Sequence, residues 1–240
     1  GLQVEPTASY YDDAEKREPG DQNWKGFGFD IQPQVTLISS LILALFISFT
    51  LFNQNQASEI FNSLFNNITS TLGWFLILAV NFVIIAVCFF AFSRMGKIKI
   101  GGKDAVPEFS TLAWFSMLLS AGMGIGLMFW SVGEPISHLV TPSPLFNGIA
   151  PETPEAAQAA MGVTFFHWGF HPWAIYALMG LALAFFSFNR GLPLTIRSIF
   201  YPLLGERIYG RWGHLIDILS VMATLTGLAT SLGFGVQQLN

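Results

Sequence analysis

Charge is what this chain of 240 residues has little of: 11% are Asp, Glu, Lys or Arg, against about 25% in an ordinary soluble domain. A soluble enzyme of usual composition is thereby excluded. Cysteine is almost absent. Cys88 alone can build neither a disulfide framework nor a multi-cysteine zinc or iron–sulfur site. There is no excess of positive charge, since 11 Lys and Arg face 15 Asp and Glu for a net charge of −4. Nucleic acid is therefore not an expected partner. The first 30 residues hold no short apolar stretch before a small-residue cleavage site, so no signal peptide is read there. They are polar and acidic, and read as a flexible, solvated tail. What is present is apolar: 52% of residues are hydrophobic and 15% aromatic. That aromatic content excludes disorder, and the sum points to an integral membrane protein with the lipid bilayer as its surroundings.

A membrane helix needs about 20 apolar residues. Five stretches free of Asp, Glu, Lys and Arg meet that need, at 35–52, 72–92, 109–133, 156–189 and 218–240. The fourth is long enough for a tilted span with an amphipathic lead-in. Continuous apolar runs of this kind argue for helices and against an alternating-residue barrel.

The basic residues set the topology. Lys16, Arg17 and Lys25 precede the first span; Arg94, Lys97, Lys99 and Lys103 follow the second; Arg190, Arg197, Arg207 and Arg211 follow the fourth. The loops 53–71 and 134–155 contain none. Every loop thus obeys the positive-inside rule, which places the N-terminus and the tail 1–30 in the cytoplasm. Asn67-Ile68-Thr69 is a glycosylation triplet on the outer side, a pattern that also arises by chance. The fifth span stops at Asn240 without a polar tail and the chain starts at Gly1, so a fragment of a longer protein is expected.

The third span, FSTLAWFSMLLSAGMGIGLMFWSVGEP, places Gly122, Gly124 and Gly126 near its middle. Gly122 and Gly126 form a GxxxG pair, which lets a neighbouring helix approach closely. The third glycine shifts the balance. Each costs about 1 kcal/mol relative to Ala in a helix, so a local break is expected near 122–126. A helix broken at bilayer depth frees backbone groups, and transporters use such breaks to bind ions and substrates. A dinucleotide fingerprint fits poorly, because GMGIG lacks the required spacing and no βαβ context surrounds it.

The fourth span holds FFHWGFHPWAIYALMGLALAFF. At about 100° per residue, Trp168, Trp173 and Tyr176 share an arc of about 140°, with Pro172 kinking the local geometry. Two readings stand: an interfacial aromatic belt, or an aromatic cage for a quaternary ammonium, a cation without hydrogen-bond donors that indole faces suit. His167 and His171 are four apart, as metal ligands can be, but neither Glu nor Cys accompanies them in the sequence and Pro172 follows. Helix packing or hydrogen bonding is the preferred role. Glu134, just before Pro135, either caps a following helix or takes part in gating. Thr224, Thr226, Thr230 and Ser231 surround Gly227 in the fifth span. Such hydroxyls glue helices together or suit a hard cation such as sodium.

Taken together, AGMGIGLMFWSVGEP, FHWGFHPWAIYALMGLALA and ATLTGLATSLGFG resemble, in order, the glycine-rich stretch, the tryptophan-motif helix and the next core helix of the betaine/carnitine/choline transporter family. The resemblance runs from about Gly28 to the end. It implies an all-α secondary transporter of twelve helices, in which two additional helices precede a core of two inverted five-helix repeats. Residues 31–106 then correspond to the additional pair. Residues 107–240 correspond to the first three helices of repeat one, and the rest of the core is absent.

The resemblance also implies roles. Trp168, Trp173 and Tyr176 match the aromatic box around the trimethylammonium group. Ala121, Gly122, Met123, Gly124 and Gly126 match the unwound stretch facing the substrate. The carbonyls of Ser120 and Met123 match positions that coordinate one sodium ion. Thr224 matches a hydroxyl of a second ion site, although Leu228 stands where another hydroxyl would help. Relatives that resemble choline transporters tend to carry Asp where this chain has Gly126. An acid there would neutralise the net cation choline but repel the carboxylate of a zwitterion. Glycine therefore favours glycine betaine, or another zwitterion such as carnitine, over choline.

The expected function is sodium-coupled uptake of glycine betaine or a related osmoprotective solute across a bacterial plasma membrane. No cofactor beyond the coupling ion is expected, and the resemblance suggests a homotrimer. The alternatives are a choline or carnitine transporter or exchanger of the same family, a membrane-embedded metalloenzyme using His167 and His171, and a five-span structural membrane protein.

Overall fold

The structure is a computed structural model that describes Gly20, 22–122 and 124–239. Most of the expected tail, and Met123, lie outside the described residues. The chain divides into two compact units, one holding 20–105 and 177–225, the other 106–176 and 226–239.

The first unit opens with an antiparallel hairpin, β1 (Trp24–Gly26) and β2 (Phe29–Ile31). The end of the expected tail is therefore ordered. Helix α1 (Pro33–Phe52) follows at once. Gln32 caps it, its side-chain oxygen accepting the Val35 N–H at 2.7 Å, and Pro33 occupies the first turn, where a missing N–H costs nothing.

Helix α2 (Gln54–Phe92) has 39 residues, or about 58 Å at 1.5 Å per residue. That exceeds the roughly 30 Å of a hydrocarbon core. The supposed loop 53–71 is thus mostly helix. No Gly or Pro occurs in 53–71, and several of its polar side chains bond within the helix. Asn62 donates to Ser58 Oγ at 3.4 Å and Thr69 Oγ1 to the Phe65 carbonyl at 2.8 Å. The triplet at Asn67 accordingly lies inside a helix. Ala57 is buried, and α2 packs on α1.

Two connecting segments of this unit are tied together by Asn189, which is fully buried. Its Oδ1 accepts the Gly101 N–H and its Nδ2 donates to the Lys99 carbonyl, both at 2.9 Å. Gly101 and Gly102 have φ of 89° and 97°, left-handed values that glycine adopts without strain. After residue 190 come the single turns α7 (Ile196–Ile199) and α8 (Tyr201–Leu204). Arg197 is buried there, donating to Asp217 through Nε at 2.7 Å and through Nη2, and to the Ile208 carbonyl through Nη1 at 3.2 Å. A guanidinium taken out of water needs this degree of pairing.

In the second unit the third apolar run is two helices, α3 (Thr111–Gly122) and α4 (Ile125–Val140). The path bends by 50° across the break. Helix α4 continues through Pro135 to Val140, so the expected loop 134–155 starts later and Glu134 sits inside a helix instead of capping one. The fourth run is also divided, into α5 (Pro154–Trp168) and α6 (Phe170–Ala184), the latter continued by a π turn, Phe185–Asn189. Thr153 caps α5, accepting the Ala156 N–H at 3.1 Å. Ala156, Ala159, Ala160 and Thr164 are buried along one face of α5. The small residues let α4 pack closely against it. Helix α9 (Arg211–Leu239) contributes to both units.

Among the described residues four helical stretches are long and apolar enough to cross a membrane, five if the bent pair is one span. Within their most apolar windows only 0–11% of residues are buried by the chain itself. Exposed large hydrophobic residues on this scale require a lipid or protein surround.

Candidate functional site

The break in the third run interrupts the helical backbone of the second unit. Carbonyls in the last turn of a helix run out of partners within it, and in α3 that turn ends at Gly122. Gly124 is extended, with φ −69° and ψ 169°, and its carbonyl accepts the Met128 N–H at 3.1 Å to start α4. Gly126 falls in the first turn of α4.

Trp173 of α6 lies directly against this break. A Cβ on Gly122 would stand 2.8 Å from Trp173 Cη2 and 3.3 Å from Cζ2, so only glycine allows the indole to come so near. Tyr176, one turn on, has its ring centroid 5.8 Å from that of Trp173 at 47°. Both aromatic side chains remain exposed. Gly122, Trp173 and Tyr176 are thus brought together: a bare backbone segment beside two aromatic faces.

Trp168 belongs to a different constellation. Its indole N–H donates to Glu134 Oε2 at 2.6 Å, and His167 Nδ1 lies 2.8 Å from Oε1 of the same carboxylate. His138 Nε2 stands 3.7 Å from Oε1. Glu134 is only 5% exposed, and burying a carboxylate is costly unless donors surround it. The indole N–H and the imidazole nitrogen supply those partners and pin α5 to α4.

Among the described residues no ring contact joins Trp168 to Trp173 or Tyr176. The arc drawn for a continuous helix does not apply, because the helix is interrupted at Gly169. A Cβ there would meet the Phe165 carbonyl oxygen at 2.5 Å. Pro172 cannot donate back to the carbonyl of Trp168, four residues before it. The sequence signal that could have found the Glu134 contact is a single acid in a long uncharged stretch, which must be partnered if buried.

His167 and His171 make separate contacts. His167 Nδ1 is engaged by Glu134, and the His171 ring lies tilted against Phe166, centroids 4.3 Å apart. Among the described residues no group of three His, Cys, Asp or Glu side chains is arranged to hold a metal. Ser120 and Ala121 are exposed near the end of α3, and Thr224 is exposed on α9 in the unit that holds 177–225.

Several apolar helices, one of them sharply bent beside an aromatic pair, define a multi-span α-helical membrane protein. Its residues 34–240 match the family model for BCCT, the betaine/carnitine/choline family transporters. The chain belongs to that family, which is one of transporters and not of enzymes. It is 48% identical over 220 residues to glycine betaine transporter 1 of Vibrio parahaemolyticus, covering 91% of this chain and 42% of that protein. It is 51% identical over 208 residues to a probable glycine betaine transporter of Desulfitobacterium hafniense, covering 87% of this chain and 41% of that protein. A glycine betaine/proline/choline/ectoine transporter of Vibrio parahaemolyticus is 47% identical over 232 residues, or 95% of this chain and 41% of that protein. The chain therefore spans about two fifths of the length of the curated relatives it matches.

Proposed function

We propose that the protein containing this chain takes up a quaternary-ammonium solute, glycine betaine foremost, across a bacterial plasma membrane by sodium symport. The observation that carries the reading is the seating of Trp173 against the backbone of Gly122 with Tyr176 beside it. Desolvated aromatic faces attract a trimethylammonium group by about 2 kcal/mol or more. The helix ends that meet at the break between α3 and α4 supply amides and carbonyls to a carboxylate and an ion, as broken transporter helices do. In this reading the carbonyls of Ser120 and Met123 and the hydroxyl of Thr224 serve sodium. Trp168 forms a further wall, with its orientation held by Glu134. Sodium drives uptake because it favours the substrate-competent state, and such coupling is reciprocal. The rest of the twelve-helix core, and any assembly into a trimer, come from the longer protein.

The N-terminus is assigned to the cytoplasm. Eight of the 11 basic residues follow the second and fourth spans, and Asn189 binds one of these segments to the other. This joining supports a shared side for the two segments, in accord with the positive-inside rule.

The test is entry of labelled glycine betaine into cells lacking betaine uptake that express the complete reading frame, with and without a sodium gradient and with excess choline. Sodium-dependent entry that choline barely inhibits supports the reading. Entry blocked by choline overturns the preference inferred from Gly126, and entry independent of sodium overturns the coupling. Absence of entry despite good membrane expression moves carnitine exchange forward.

A further inference from the structure

The hairpin ahead of α1 is amphipathic, and nothing in the transport reading uses it. Its strands pair Trp24 with Ile31, Lys25 with Asp30, and Gly26 with Phe29. Phe27 and Gly28, with φ of 50° and 81°, form the two-residue turn whose left-handed backbone matches strand twist. Directly paired residues share a face and successive ones alternate. Trp24, Phe29 and Ile31 are therefore on one face, with Gly26, and Lys25 and Asp30 are on the other. The polar face is internally satisfied: Lys25 Nζ lies 3.7 Å from Asp30 Oδ2, and Asn23 donates to Asp30 Oδ1 at 2.8 Å. Among the described residues nothing covers the apolar face. Trp24 is 46% exposed, Phe29 62% and the turn residue Phe27 96%. Trp24 bends over Gly26, where a Cβ would meet its ring at 2.7 Å.

A two-stranded ribbon is marginal in water unless its apolar face finds a partner. The position of the hairpin says which partner. Only Gln32 separates β2 from Pro33, and one residue reaches no more than about 3.6 Å. Helix α1, with 20 residues, is about 30 Å long, the thickness of the hydrocarbon core. Its first turn is thus at the membrane surface, and the hairpin is confined to the headgroup layer, where Trp residues concentrate.

We propose that the hairpin Trp24–Ile31 is an interfacial anchor that lays Trp24, Phe27 and Phe29 into the lipid headgroup and upper acyl region, with Lys25 and Asp30 facing water. It sets the depth and tilt at which α1 enters the bilayer. The proposal rests on α1 crossing the membrane and is independent of the solute carried.

The experiment uses the full-length protein with its native cysteines replaced, in lipid nanodiscs. A single cysteine is placed at Phe27→Cys, Phe29→Cys or Asp30→Cys and labelled with an environment-sensitive fluorophore. Shallow nitroxide lipids and aqueous iodide are then compared as quenchers. For a face seated in the headgroup and acyl boundary, labels at 27 and 29 are quenched by the nitroxide about threefold more than the label at 30, and iodide shows the opposite order. Equal iodide quenching at all three positions overturns the proposal by leaving the hairpin in water. Protection of 27 and 29 from both quenchers overturns it by assigning the apolar face to a protein partner. Two apolar-face positions are used so that disturbance of the turn by one substitution does not decide the outcome.

Discussion

Replacing Gly122 with alanine is the sharpest perturbation of the proposed site. The added methyl carbon would stand 2.8 Å from Trp173 Cη2 and 3.3 Å from Cζ2, against about 3.5–4.0 Å for carbon atoms in favourable contact. Either the indole moves by about 1 Å or the break between α3 and α4 shifts. Overpacking of this kind costs about 1–3 kcal/mol. If the strain falls on the substrate-bound arrangement, KM for the solute rises about 5- to 150-fold. Helix propensity acts in the other direction, since alanine is favoured over glycine by about 1 kcal/mol within a helix. Membrane expression should therefore hold. Gly180→Ala is the matched control, because a Cβ there meets no atom within 4 Å. The assay is uptake kinetics of the full-length protein, with the expression level measured alongside. A double-mutant cycle isolates the contact: Trp173→Phe removes the fused benzene ring, so Gly122→Ala should cost less in that background. Unchanged KM in Gly122→Ala, or additive effects in the cycle, would refute the argued role of this approach.

Trp173→Leu should weaken glycine betaine transport severely while expression stays intact; unchanged uptake would assign that residue to an interfacial belt. Glu134→Gln keeps one acceptor oxygen and turns the other into an amide donor, so either the part-buried Trp168 N–H or the exposed His167 ring loses its carboxylate partner. A cost of about 1–3 kcal/mol is expected, read as a lower Tm of the purified protein and a raised KM, with Glu134→Ala more severe on both. Asn189→Ala removes two hydrogen bonds to the 99–101 segment, worth about 1 kcal/mol each. Faster proteolysis of that segment with KM unaltered is the expected outcome, measured by limited digestion of the reconstituted protein.

Much of this molecule is a property of local composition. Long uncharged apolar runs leave no soluble solution for the chain, because a backbone in lipid must satisfy its own hydrogen bonds and does so as helix. Where those runs stop was less legible. The polar stretch 54–71 reads as a loop by hydropathy, yet it continues α2, because Asn, Ser and Thr can pair within a helix when no Gly or Pro breaks it. Glu134 beside Pro135 reads as a helix boundary, yet α4 runs through both. Proline forfeits only one ladder bond, and the neighbouring α5 supplies donors to the carboxylate.

The sequence by itself determined the solvent of this protein, its helical content and the charge asymmetry of its connections, since each follows from residues within one turn or one loop. It also carried the motifs by which the family can be recognised. Only the tertiary structure decided how the aromatic residues divide: Trp173 and Tyr176 with Gly122, Trp168 with Glu134. That division depends on an interruption at Gly169 and on contacts between residues 33 to 51 positions apart. Side chains so far apart along the chain meet only where helices pack, and periodicity within one helix carries no information about which neighbour it meets.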